Sequence, residues 1–157
     1  MDSQAIETIT GFIELMSKTA PLSKKEQNRL RQSHRENQEI DFLAPESVQQ
    51  AQMEAIEQRQ LEGKESVLNG LWQKSLIKGN QDDLGLHGAL AIEFFEEYLK
   101  TGEAPPPASP LRVAVLLKKR KEKELEKKFL ASWARHFGGV MGTGYQKLDA
   151  RYKKLRS

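Results

Sequence analysis

Residues 102–110 read GEAPPPASP, and the three consecutive prolines in that stretch constrain the whole chain. Proline lacks the backbone N–H that helices and sheets use, and a run of it favours a stiff, extended conformation. The segment therefore predicts a boundary, with one part ending at residue 101 and another beginning at residue 111. A spacer accounts for it better than a docking motif for a proline-recognising domain.

To the left of the boundary the apolar residues recur at helical spacing. Ile6, Ile9, Ile13 and Met16 form a stripe that Phe12 and Leu15 widen, with Asp2 or Ser3 as a cap and Pro21 forcing an end before it. Ser23 and Glu26 make a capping box that opens a polar segment whose one large apolar residue is Leu30. Pro45 suits a helix's first turn, and Val48, Met53, Ala55 and Ile56 follow on a Gln/Glu-rich background up to Gly63. Val67, Leu68, Leu71, Trp72, Leu76 and Ile77 make another helix, closed at Gly79. Asp82 or Asp83 caps the most apolar stretch, with Leu84, His87, Leu90, Ala91, Phe94, Phe95, Tyr98 and Leu99 on a broad face closed by Gly102. The predicted helices cover 2–19, 24–36, 46–62, 65–78 and 83–100.

To the right, Ser109 followed by Pro110 predicts a helix start, and no glycine or proline intervenes before Gly138 and Gly139. Such a helix runs about 40 Å. Leu111, Val115, Leu125, Phe129, Trp133 and Phe137 share one face of it, and Arg120, Lys123 and Lys127 share the opposite one. Lys118 and Glu122 interrupt the apolar stripe as an i, i+4 pair. After the glycine cluster at 138–144, a terminal helix places Tyr145, Leu148, Tyr152 and Leu155 on one side, with Lys147, Arg151, Lys154 and Arg156 on its flanks. It can pack back on the Phe129, Trp133 and Phe137 face as a helical hairpin. The expected fold class is therefore all-α. A small bundle of about four to five helices spans 1–101, a Pro-rich linker spans 102–110, and a long basic helix with a short terminal helix spans 111–157.

Charge divides at the same place. Residues 110–157 hold 14 Lys or Arg against 4 acids, whereas residues 1–109 hold 11 against 18, so a net charge of +3 conceals halves of +10 and −7. Such asymmetry suits a basic part that meets a polyanion or one that folds back on the acidic part.

Catalysis has little to draw on. There are no cysteines, which removes disulfides, thiolate zinc sites and cysteine nucleophiles. His34, His87 and His136 are scattered, with no His-x-x-x-His or Glu-x-x-His pairing for a metal. His87 reads as a core histidine and His136 as a carbonyl cap near a helix end. The glycine cluster GGVMGTG lacks the Gly-Lys-Ser/Thr ending and the preceding strand of a phosphate loop, and reads as a hinge. Asp82–Asp83 and Glu96–Glu97 are sequence neighbours that point apart on a helix. The reading is of a non-enzyme with no cofactor and no metal site.

The run KKRKEKELEKK at 118–128 is the best candidate for phosphate contact, since cations on one helical face neutralise successive phosphates without reading bases. Interleaved Glu122, Glu124 and Glu126 support the competing reading of a solvated helix. The expected nucleic-acid contacts are Lys118, Lys119, Arg120, Lys123, Lys127 and Lys128, helped by Arg151, Lys153, Lys154 and Arg156. The expected role is an accessory protein of a nucleoprotein assembly. The alternative is a helical adaptor whose basic arm docks on an acidic protein or on a second copy of itself. A cytoplasmic location without membrane association is expected, because no apolar run reaches spanning length and the first residues lack a secretory pattern.

Overall fold

A computed structural model describes residues 3–156. Among them the chain forms eight α-helices and no strand: α1 (Ser3–Lys18), α2 (Lys24–Glu36), α3 (Glu46–Lys64), α4 (Val67–Ser75), α5 (Leu84–Thr101), α6 (Ala108–Lys119), α7 (Lys123–Phe137) and α8 (Thr143–Arg156). A single 3₁₀ turn, Asn80–Asp82, lies between α4 and α5. The cap expected at Asp2 lies outside the described residues.

Local chemistry sets most of these ends. Ser23 Oγ accepts the Glu26 N–H at 3.1 Å to start α2, and Asp83 Oδ1 accepts the Leu86 N–H at 3.0 Å to start α5. Ser66 caps α4 in the same way, so α3 passes through Gly63 and ends one residue later. α4 stops at Ser75, short of the expected 78, and the chain reaches α5 through the 3₁₀ turn after left-handed Gly79. Gly102 is also left-handed at φ 73°, and its N–H closes α5 on the Tyr98 carbonyl at 2.8 Å. A Cβ there would lie 2.5 Å from the Gln27 carbonyl, so only glycine lets α2 approach this cap. Gln27 and Arg31 donate to the Gly102 carbonyl at 2.9 and 3.0 Å, which docks α2 on the end of α5.

The expected long basic helix is two helices. α6 ends at Lys119, Lys121 takes the left-handed conformation at φ 58°, and α7 restarts at Lys123. The Glu122 N–H bonds to the Leu117 carbonyl and the Lys121 N–H to the Lys118 carbonyl, both at 3.0 Å, the double closure of a Schellman motif. The motif is built without its usual glycine, which is why composition did not mark the break. The helix also begins earlier than expected, at Ala108 after Pro107, and Ser109 is buried within its first turn rather than capping it.

Helices from both sides of the proline segment share one core. Ile9, Phe12 and Met16 of α1 and Leu84, Ala91, Phe95 and Tyr98 of α5 pack with Val113, Ala114, Leu116 and Leu117 of α6. Phe129, Leu130, Trp133 and Phe137 of α7 and Tyr145 and Leu148 of α8 complete the same cluster. Aromatic rings link these helices, with centroid distances of 5.7 Å for Phe12–Phe95, 6.0 Å for Phe95–Phe137, 4.3 Å for Trp133–Phe137 and 6.2 Å for Trp133–Tyr145. The final hairpin forms as its spacing implied, with α8 packed on α7.

Segment 102–110 thus joins α5 to α6 within this core and is itself packed. Pro105 is buried, and its carbonyl accepts the Tyr145 hydroxyl. A Cβ on Gly144 would sit 2.4 Å from the Pro107 ring, so α8 begins in direct contact with the prolines. The prolines had suggested a spacer because they lack donors, yet their rings and carbonyls remain available for packing. At the other end of the hairpin, Arg135 of α7 donates to the carbonyls of Met16, Ser17 and Thr19 at 2.9, 3.2 and 3.2 Å, and His136 Nε2 lies 2.7 Å from the Met16 carbonyl. Arg135 and His136 of α7 thereby cap the C-terminus of α1, where carbonyls lack partners, and the helix dipole favours the positive charge of Arg135.

α3 stands apart from this arrangement. It packs on α4 and buries no residue.

Candidate functional site

The break between α6 and α7 redistributes the basic run. Arg120 turns towards the 3₁₀ turn, where its Nη2 donates to the Asp82 carbonyl at 3.2 Å. Arg112 reaches the same turn, donating to the Gln81 carbonyl at 2.6 Å and to Asp82 Oδ1 at 2.9 Å, and Lys119 Nζ lies 3.9 Å from that carboxylate. Lys119 and Arg120, both expected as phosphate contacts, thus face an acidic turn that precedes α5. The shared face expected for Arg120, Lys123 and Lys127 does not exist, because the helical phase resets at Lys121.

The remaining charges gather elsewhere. α6, the first turns of α7 and α8 enclose a groove of about 720 Å³, lined by Lys118, Lys123, Lys147, Arg151 and Lys154 together with Leu111, Val115, Ala150, Leu155 and Glu126. Helical spacing explains the convergence. Leu111, Val115 and Lys118 fall at i, i+4 and i+7 on α6, and Lys147, Arg151 and Lys154 repeat that spacing on α8. The groove has two chemistries, an aliphatic floor and a cationic rim. Lys118, Lys123, Lys147 and Lys154 are exposed, and among the described residues the side chains of Lys123 and Lys147 make no hydrogen bond or ion pair.

Glu126 lies among these cations and is 3% exposed. Its Oε2 is 3.6 Å from Arg151 Nη1, an ion pair that ties α7 to α8. Burial raises the Glu126 carboxyl above the ordinary carboxylate range, while the charges of Arg151 and Lys118 act in the opposite direction. A nearly buried acid on a basic groove is the least expected feature of the surface.

Of the ten residues expected to contact nucleic acid, the groove brings together Lys118, Lys123, Arg151 and Lys154. Lys127 and Lys128 are exposed on α7 and Lys153 on α8, outside the groove lining. Arg156 sits with its guanidinium carbon 5.4 Å above the Tyr152 ring. Lys147 lies on the flank of the last helix and outside the expected contacts, although its i, i+4, i+7 spacing with Arg151 and Lys154 is plain in the sequence. Glu126 belongs, in the sequence, to an alternating charged face.

Among the described residues no group of three or more His, Asp or Glu side chains is placed to hold a metal ion, and no helix is long and apolar enough to cross a membrane. His87 is buried on α5 with Nε2 3.2 Å from the Asn80 carbonyl, a core position. The chain matches no protein-family model, no curated protein and no solved structure.

Proposed function

We propose that this chain is a non-catalytic nucleic-acid-binding protein that contacts the phosphate backbone through the groove of α6, α7 and α8, as an accessory component of a nucleoprotein assembly. The observation that carries this reading is the convergence of Lys118, Lys123, Lys147, Arg151 and Lys154 from three helices on one groove. Five cations held by rigid helices contact successive phosphates and release their counterions, an affinity that needs no base readout. The acid-rich N-terminal part leaves the groove alone, since its lining comes entirely from residues 111–155.

The test is fluorescence anisotropy of labelled DNA and RNA across a salt series, with wild type and a Lys118→Glu, Lys123→Glu, Lys147→Glu variant. Five phosphate contacts on a single strand predict a slope of log K against log salt of about −3.5. The variant should lose most of both affinity and slope. Wild-type binding with no salt dependence, or equal binding by the variant, would defeat the reading.

A second reading, a helical adaptor, is favoured by the apolar side chains that the region around α3 and α4 leaves in solvent. Phe42 is 78% and Leu43 97% exposed, and Leu61, Val67, Leu76 and Ile77 are exposed as well. An adaptor shows a saturable protein interface that depends on these residues and not on the groove lysines.

A further inference from the structure

We infer that the groove takes single-stranded nucleic acid and reads it, seating an unpaired base on the Leu111, Val115 and Leu155 floor with the amino edge of that base on Glu126. The inference rests on the phosphate-binding reading above and extends it to strand type and base preference. A duplex offers phosphates to a cationic rim but keeps its base faces stacked inside, so it has no use for an aliphatic floor. An unstacked base has an apolar face to bury, and proteins that hold single strands combine a basic track with an apolar surface for the bases. The groove, at about 720 Å³, lies within the size range of cavities that enclose small ligands.

Glu126 gives the second observation. A carboxylate repels phosphate, so its place among five cations serves no phosphate contact. It accepts N–H donors, and at 3% exposure it can meet only a group that enters the groove. Exposed base edges supply such donors: the N4 amino group of cytosine, the N6 amino group of adenine and the N1–H and N2 amino group of guanine, whereas uracil and thymine present carbonyl oxygens on both sides of a single N3–H. Arg151 holds the carboxylate from one side at 3.6 Å. The expected ligand is therefore a short unpaired segment containing an amino-bearing base, cytosine, adenine or guanine, with its phosphates on the rim cations Lys118, Lys123, Lys147, Arg151 and Lys154.

The experiment measures anisotropy of the full chain with oligo-C, oligo-A and oligo-U strands of about eight nucleotides and with a hairpin duplex of equal phosphate number. The same probes are titrated with Glu126→Gln, whose fold is checked by circular dichroism. Single strands should bind at least tenfold more tightly than the duplex, and oligo-C and oligo-A about tenfold more tightly than oligo-U. Glu126→Gln should shrink that base preference while the salt slope stays the same. Equal binding of single strand, duplex and all bases overturns the inference and leaves the phosphate-binding reading standing, with Glu126 a structural partner of Arg151. Absence of all binding at low salt overturns both. Binding of poly-glutamate with none of nucleic acid also overturns both and assigns the groove to an acidic peptide.

Discussion

Lys121 holds a conformation that L-residues avoid, at φ 58°, to close α6 and turn the chain into α7. A Cβ in the left-handed region costs roughly 1–2 kcal/mol, which glycine escapes. Glycine also widens the unfolded ensemble, at a cost of roughly 0.5–1 kcal/mol. Lys121→Gly should therefore stabilise the protein by about 0.5–1 kcal/mol, since the side chain is exposed and leaves no cavity. For a chain of 157 residues that predicts a rise in Tm of about 1–4 °C. Removing the lysine also relieves repulsion from Lys118, Lys119, Arg120 and Lys123, so Lys121→Ala serves as the control. Alanine loses the same charge but keeps the strained backbone, and the difference between the two variants isolates the conformational effect. Thermal unfolding followed by far-ultraviolet circular dichroism measures both. Equal stabilities for the two variants, or an alanine variant more stable than the glycine one, would mean that α6 and α7 form one continuous helix and would refute the reasoning.

Four further outcomes follow from the packing. Phe95→Ala, at the centre of a core that unites both sides of the proline segment, should cost about 3–5 kcal/mol, with helix loss and tryptophan fluorescence changing in one transition under denaturant; two separated transitions would indicate independent modules. Gly144→Ala places a Cβ 2.4 Å from a proline ring that cannot rotate away, and should destabilise by about 1–3 kcal/mol in the same assay, whereas no loss would mean that α8 does not start against Pro107. Burial lowers the pKa of His87 and His136 and disfavours their charged forms, each with its Nδ1 buried and unbonded among the described residues. The unfolded chain then binds protons that the folded one refuses, so stability is intact above the ordinary histidine value of about 6.5 and is lost as pH falls from there through the lower folded-state values. A denaturant midpoint that fails to drop between about pH 7.5 and about pH 5.5, or that drops equally in the His87→Gln, His136→Gln double variant, would contradict this. Glu126, with its raised pKa, works in the opposite sense by losing stability as pH rises through the carboxylate range.

The helices that carry strong local signals were legible in the sequence. α2 has its serine cap and α5 has both an aspartate cap and a closing glycine, and each lies within one residue of its expected span. The break at Lys121 was not legible, because the run 118–128 contains neither glycine nor proline. Tertiary packing imposes it: Leu116 and Leu117 are held in the core by α6, Phe129 and Trp133 by α7, and the chain must reverse between them. The proline segment misled for a related reason. Its composition suggests solvent, but Pro105 and Pro107 are fixed by Tyr145 and Gly144, nearly forty residues later. The basic surface was legible as charge but not as geometry, since density along the sequence favours 118–128 whereas the groove collects every third or fourth residue of α6 and α8. Lys127 and Lys128 therefore stand out in the sequence yet fall outside the groove, while Lys147 and Glu126 line it without standing out.

The proposal that nucleic acid lies against α6, α7 and α8 is tested most directly by amide chemical-shift mapping of the isotope-labelled chain titrated with a short single strand. Shifts should concentrate at residues 111–126 and 147–155, around Lys118, Lys123, Glu126, Lys147 and Arg151. Shifts confined to α3 and α4, or none at all at low salt, would contradict it.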